Sequence, residues 1–316
     1  MERLKFKNMN PGSVYEVIAI VVGVSEMEDK NGEPFVQLVL GDGERLIAAL
    51  KFKTTASELN DFGICKDAVV DAMISVKVYK EEVSYIVTSI KPASSEFAAS
   101  DFEVKIPISS KNNLTLLMSL VKTCHTNSAY DFEYDPISDL TLKLLRKNAD
   151  AFCVAPAGLY MHHNNLGGLL EHSLSVAQIA EMLSDMHSDL DKELLVCGAA
   201  LHDIGKIKEM TTDTYGRTEY EPYGRLIGHS AIGINMIDKE AEIGNYNPER
   251  VQLLQHMVAS HHGNIHNGAI SAPAVPEAAV LHALDMADGA VYKFNEVYKT
   301  LPEGSLSAKI PQLNNQ

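Results

Sequence analysis

Histidines and carboxylates spaced along the second half of the chain are the residues whose types could do chemistry. His172 stands in Glu-His-Ser, and His202-Asp203 in Ala-Leu-His-Asp-Ile-Gly-Lys. His229 follows in Gly-His-Ser, His261-His262 in Ser-His-His-Gly, and Asp285 in Leu-His-Ala-Leu-Asp-Met-Ala-Asp. Imidazole and carboxylate donors suit Mn²⁺, Fe²⁺, Mg²⁺ or Zn²⁺. A structural zinc site normally uses thiolates, and Cys65, Cys124, Cys153 and Cys197 lie far apart with no CxxC pair. The chemistry implied is that of a divalent ion held by nitrogen and oxygen.

Such residues meet only if the elements carrying them converge. Apolar positions at i, i+3 and i+4 predict helices over Leu114–Lys122 and Leu140–Phe152, with further helices over Gly167–Met186, Lys192–Ile204, Gly228–Ala241, Pro248–Ser260 and Pro276–Tyr298. Each candidate falls on a different helix or at its end, and a helical bundle can aim such side chains at one point. His202 and Asp203 lie about 100° apart around a helix, so the pair can grip ions seated against its end. The plain alternative for His-Asp-Ile-Gly-Lys is a chance helix end, with Gly205 as its cap.

The first 92 residues read differently. Ser13–Val24, Pro34–Leu40, Arg45–Phe52, Ala68–Tyr79 and Val83–Ile90 are rich in Val, Ile, Tyr and Phe and are separated by turn residues. Thr54–Phe62 predicts a short helix between the third and fourth strands, with Thr54 or Thr55 as N-cap. That is the element order of an OB-fold barrel. The fold class expected is multidomain: an all-β OB-fold barrel over 1–92, a linker over 93–110, an all-α helical bundle over 111–300 and a tail over 301–316.

The chain has 316 residues, 46% hydrophobic and 22% charged, enough apolar mass for buried cores. Its start has no apolar h-region, and the apolar run Val14–Val24 is too short to span a bilayer. With no disulfide framework in the cysteine spacing, the expectation is a cytoplasmic protein with no membrane association. A net charge of −15 argues against a protein that coats duplex DNA. It leaves open a local basic groove, or a site whose ions carry the positive charge.

The order of motifs resembles the HD-domain phosphohydrolases: a first His, the His-Asp doublet, later histidines, then an Asp. One branch, the YhaM-type 3′–5′ exoribonucleases, places an OB-fold before the HD domain. The residues carrying the resemblance are His162-His163-Asn164, Gly167 to Ser173, Leu201 to Lys206, Gly224 to His229, Leu254 to Met257, Ser260 to Gly263, and Glu277 to Asp285. The resemblance implies a hydrolase that removes nucleoside 5′-monophosphates from the 3′ end of single-stranded RNA, or of DNA. It implies that His172, His202, Asp203 and Asp285 hold one divalent ion. Asp203 would bridge to a second ion, held by His229, His261 and His262. Mn²⁺ is the first expectation, with Mg²⁺ or Fe²⁺ as alternatives. A hydroxide on the ions would attack phosphorus in line. Lys206, one turn past the doublet, would stabilise the charge developing at phosphorus.

Asp288, three residues past Asp285 and on the same face, competes for its role. His163 is a candidate substrate contact, with a buried hydrogen-bonding role equally open. In Thr211–Arg225, tyrosines such as Tyr223 can stack bases, and Arg217 and Arg225 can hold phosphates. The alternative there is a plain surface hairpin. His125, His187, His256, His266 and His282 read as packed or surface residues. Residues 1–100 carry 11 Lys and Arg against 15 Asp and Glu, a poor electrostatic funnel for nucleic acid. Two rival functions follow. One is an HD phosphodiesterase acting on a mononucleotide or cyclic dinucleotide. The other is a replication-associated nucleic-acid-binding module with a secondary HD site. A homo-oligomer is also open.

Overall fold

The computed structural model describes residues 4–79, 82–94, 96–125, 133–158, 166–299, 301 and 304–307. Two compact units divide the chain: Met1–Lys105 with Thr212–Arg217, and Ile106–Thr211 with Thr218–Gln316.

The first unit is a closed five-stranded barrel. Strands β1 (Val14–Glu28), β2 (Pro34–Gly41), β3 (Leu46–Phe52), β4 (Val69–Tyr79) and β5 (Glu82–Pro92) close in the order β1-β2-β3-β5-β4. The β3–β5 pairing is parallel and the others are antiparallel. Helix α1 (Ala56–Asp61) lies between β3 and β4, where Thr55 and Glu58 form a reciprocal capping box. This is the OB-fold topology.

Strand β1 explains the apolar run in the sequence. Its alternate residues Val17, Ala19 and Val21 fill the barrel, as period-two geometry requires. The opposite set, Ile20 and Val22, would face water, but Phe102 buries both, with Phe97 and Tyr215 packed alongside. So the segment expected as a linker does not behave as one up to Lys105. A 3₁₀ turn at Ala99–Phe102 docks a fully buried Phe102 on the barrel's outer face.

The second unit is helical: α2 (Ile108–Thr123), α3 (Ile137–Lys147), α4 (Ala149–Val154), α5 (Gly168–Met186), α6 (Lys192–Leu201), α7 (Lys206–Glu209), α8 (Pro222–Ile227), α9 (His229–Ala241), α10 (Pro248–Ser260) and α11 (Pro276–Tyr298). The single helix predicted over Leu140–Phe152 is two. Asn148 leaves helical geometry (φ −115°, ψ 17°), and its side-chain amide donates to the Leu144 carbonyl at 2.8 Å. That local bond competes with the helical ladder. The short strands β6 (Met210–Thr212) and β7 (Thr218–Tyr220) form a hairpin. Its tip is tightened by Asp213, whose Oδ1 accepts from the amides of Tyr215 and Arg217.

One core of leucine, valine and alanine runs through α2, α3, α5, α6, α9, α10 and α11. A polar staple ties four of these helices at one end. Arg250 of α10 donates to Asp191, the N-cap of α6, and to Glu193 at 3.0 Å. Glu193 also accepts from the Ser138 amide of α3, and Glu277 of α11 accepts from the Asp191 amide. Among the described residues, no helix is long and apolar enough to cross a membrane.

Candidate metal centre

Helix ends bring most of the site together. His202 is the first residue past α6, His261 the first past α10, and His229 the first residue of α9. His172 and Asp285 project from the interiors of α5 and α11. The predicted helix over Lys192–Ile204 stops at Leu201, and the chain turns through residues 202–205 before α7. That turn aims Asp203 inward and returns Lys206 onto it, with Nζ 2.6 Å from Asp203 Oδ2.

Gly205 does not end a helix as a left-handed C-cap; it stands at the start of α7. Its φ of −62° and ψ of −21° suit any residue. The need for glycine is steric: a Cβ at 205 would lie 1.9 Å from the His229 carbonyl oxygen. Glycine lets the doublet's turn and the start of α9 touch, and so brings His229 beside Asp203.

Two groups of donors result. His172, His202 and Asp285 form the first, and His229, His261 and His262 the second; within each, the donor atoms lie within 4.8 Å of one another. Asp203 sits between them. Its Oδ1 is 3.3 Å from His229 Nε2 and 3.6 Å from His261 Nε2. Its Oδ2 is 3.5 Å from His202 Nε2 and 3.9 Å from His172 Nε2.

The ring orientations follow from what lies behind each imidazole. Nδ1 of His202 is 2.8 Å from the Ala199 carbonyl, and Nδ1 of His261 is 2.7 Å from the Val258 carbonyl. A carbonyl only accepts, so both Nδ1 atoms donate and both Nε2 atoms turn lone pairs inward when the rings are neutral. His172 Nδ1 meets Asp288 Oδ2 at 2.7 Å, and Asp288 also accepts from the Ser175 hydroxyl. His229 is held by Glu209, whose Oε1 takes the His229 amide at 3.2 Å and lies 3.4 Å from Nδ1. His282 donates from Nδ1 to the His261 carbonyl at 2.7 Å.

The electrostatics are those of a buried acid–base cluster. Burial opposes ionisation of Asp203, yet Lys206 and His202 hold its carboxyl well below the usual range. Burial likewise opposes ionisation of Asp285, but the hydrogen bond to His172 outweighs it and the carboxyl is held low. Burial also lowers His172, but its bonds to Asp285 and Asp288 win and raise it to about 9. In the second group burial dominates, lowering His261 and bringing His262 to about 4. A ring that resists protonation stays available as a neutral metal donor.

A divalent cation fits this arrangement. His172 Nε2 and His202 Nε2 approach to 3.1 Å, a distance two lone pairs tolerate only with a proton or cation between them. Asp203 Oδ1, His229 Nε2, His261 Nε2 and His262 Nδ1 are buried without hydrogen-bond partners. Four buried polar atoms left unsatisfied at one spot would be costly unless something else binds them.

Of the other candidates, Tyr223 is 51% exposed on α8, and the Arg225 guanidinium lies 5.5 Å over the Tyr220 ring. Arg217 belongs to the barrel unit. Its guanidinium donates to the Val22 carbonyl at 3.4 Å and fills the space above Gly23, where a Cβ would meet it at 2.6 Å. His163 lies outside the described residues. The sequence reading missed Glu209, Ser175 and the partnership of His282. An acid seven residues past the doublet's His, or a serine three past His172, carries no motif that would have marked it.

Residues 169–289 match the family described as HD domain. The helical unit carries an HD domain over those residues. The chain is an enzyme of the phosphohydrolase kind to which that domain belongs. The resemblance to YhaM-type proteins extends along nearly the whole HD-domain chain. It is 27% identical over 307 residues to the 3′-5′ exoribonuclease YhaM of Listeria innocua serovar 6a, covering 96% of this chain and 94% of that relative. The protein of the same name from Shouchella clausii is 29% identical over 288 residues, covering 90% and 86%. Among solved structures, the second OB-fold domain of replication protein A from Methanococcus maripaludis aligns with 30% of this chain and 97% of its own at 21% identity and a TM-score of 0.24. The OB-fold assignment of the barrel rests on its own strand order.

Proposed function

We propose that this HD-domain enzyme is a divalent-metal 3′–5′ exoribonuclease that removes nucleoside 5′-monophosphates from single-stranded RNA, with single-stranded DNA a further candidate substrate. The observation carrying the reading is the pair of donor groups that meet across Asp203. His172, His202, Asp203 and Asp285 would hold one ion, and His229, His261, His262 and the other oxygen of Asp203 a second, with Mn²⁺ the first choice. Such ions, when bound, lower the pKa of a water and neutralise charge on the phosphate oxygens.

The chain's own groups do the rest. Asp203, kept ionised by Lys206, spans the two donor groups and fixes their separation. Burial opposes protonation of Lys206, but Asp203 keeps it charged, so an ammonium stands beside the centre, suited to stabilise charge developing at phosphorus. Exposed Tyr223 is suited to stack a base, and Arg225, stacked over Tyr220, to hold a phosphate. The OB-fold barrel favours a polymer over a free mononucleotide or cyclic dinucleotide, because a small substrate has no use for a strand-binding barrel.

Decay of a 5′-labelled single-stranded RNA in Mn²⁺ tests the reading, with wild type beside Asp203→Ala. The expected result is a ladder shortening from the 3′ end, abolished by EDTA and by the substitution. Intact RNA with folded, Mn²⁺-loaded wild type would refute the polymer substrate.

A further inference from the structure

We infer that Asp288, anchored by Ser175, is the positioning residue for His172 and sets the metal affinity of the first donor group independently of the second. The inference rests on the metal-holding reading above and concerns groups outside the proposed ligand set.

What backs each imidazole depends on where it sits in its helix. His202 and His261 lie just past the ends of their helices, where the carbonyl three residues back is free to take Nδ1–H. His172 lies in the interior of α5, where carbonyls are committed to the helical ladder, so its backing must come from another helix. Asp288 of α11 supplies it at 2.7 Å. Its second oxygen takes the hydroxyl of Ser175, three residues past His172 on the same face of α5. The carboxylate is therefore clamped by two side chains of one helix and is largely buried, its side chain 11% exposed.

Asp285 and Asp288, three apart on α11, bracket the ring. Asp285 Oδ1 is 3.2 Å from Nε2, while Asp288 is on Nδ1. One faces the donor centre and the other faces away from it. A carboxylate on Nδ1 holds the ring's angle, fixes the neutral ring's proton on Nδ1 and makes the inward nitrogen a stronger metal donor than a carbonyl would. The second group has its own backing, from Glu209 and the Val258 carbonyl.

The experiment is isothermal titration of the metal-free full chain with Mn²⁺, together with its melting temperature, for wild type, Asp288→Ala, Asp288→Asn and Ser175→Ala. Asp288→Ala should weaken one of two binding events about 10- to 100-fold and leave the other unchanged. Asp288→Asn keeps an acceptor for Nδ1–H without the charge and should recover part of the loss. Ser175→Ala should lose less than Asp288→Ala. Equal titrations for wild type and Asp288→Ala would overturn the inference. So would both events weakening together in step with a lowered melting temperature, the mark of a merely structural role. Should Asp288→Ala fail to fold, an Asp288→Asn curve superimposed on wild type would overturn it equally. A wild type that takes up no Mn²⁺ would instead refute the metal centre itself.

Discussion

Gly205→Ala isolates a single steric contact at the centre of the site. The backbone at 205 is ordinary right-handed helical, so alanine carries no conformational penalty and is the better helix former. What it adds is one methyl, 1.9 Å from the His229 carbonyl oxygen and 2.8 Å from the Gly233 nitrogen. Both are backbone atoms of α9, so no side chain can rotate away. Bringing the first contact out to 3.0 Å requires the turn and the helix to part by about 1.1 Å. Because His229 is the residue struck, its Nε2 moves by a similar distance from Asp203 Oδ1, now 3.3 Å away. The doublet, Lys206 and the first donor group do not depend on that contact. Overpacking of this kind costs about 1–3 kcal/mol of stability, and an ångström of misplacement costs about 100-fold in rate. The expected outcome is a folded protein that retains one tightly held Mn²⁺, loses its hold on the other, and degrades RNA about 100-fold more slowly. Metal analysis after dialysis, alongside kcat/KM on a short RNA, reads all three. A variant with two ions at wild-type affinity and full activity would refute the steric argument.

Phe102→Ala should destabilise the barrel unit by about 3–5 kcal/mol, since it uncovers Ile20 and Val22; denaturant unfolding measures the loss. Arg250→Met should cost about 3 kcal/mol, the low end of the range for a broken buried pair, because Asp191 keeps some contact with solvent. The same staple predicts an acid response. Burial raises the Asp191 carboxyl, but the Arg250 bond and the Leu194 amide outweigh it and hold it below its usual 3.8. A depressed carboxyl stabilises the fold above the unfolded value and loses that contribution as pH falls through the folded one. Thermal melts below about pH 4 should therefore steepen in wild type and flatten in Arg250→Met. Mn²⁺ at about 100 times its dissociation constant should stabilise the protein by about 2.7 kcal/mol, an increment that EDTA and Asp203→Ala both remove in differential scanning calorimetry.

Much of this molecule follows from local sequence pattern. Strand alternation, helical periodicity and caps depend on neighbours a few residues away, so the five barrel strands and helices α5, α6, α9, α10 and α11 lie within a few residues of where those patterns put them, whereas the short α7 and α8 carry too little periodicity to be marked. The donor types at positions 172, 202, 203, 229, 261, 262 and 285 are legible for a related reason: few side chains bind a divalent ion, and their order along the chain is distinctive. What the sequence could not decide are relations between segments far apart in it. Asp285 and Asp288 share a helix face, and only the packing of α11 on α5 puts one on Nε2 of His172 and the other on Nδ1. A cap is the plain alternative for Gly205 until the close approach of α9 shows that it is needed for space. Glu209 gains its role only because the start of α9 falls beside it. Residues 93–105 read as a polar linker because a lone Phe102 has no periodicity to mark it, yet burying that one ring is what closes β1's outer face. Local propensity settled the elements and residue type named the candidate donors, whereas which atom faces which was settled by helix packing, through contacts spanning up to 116 residues.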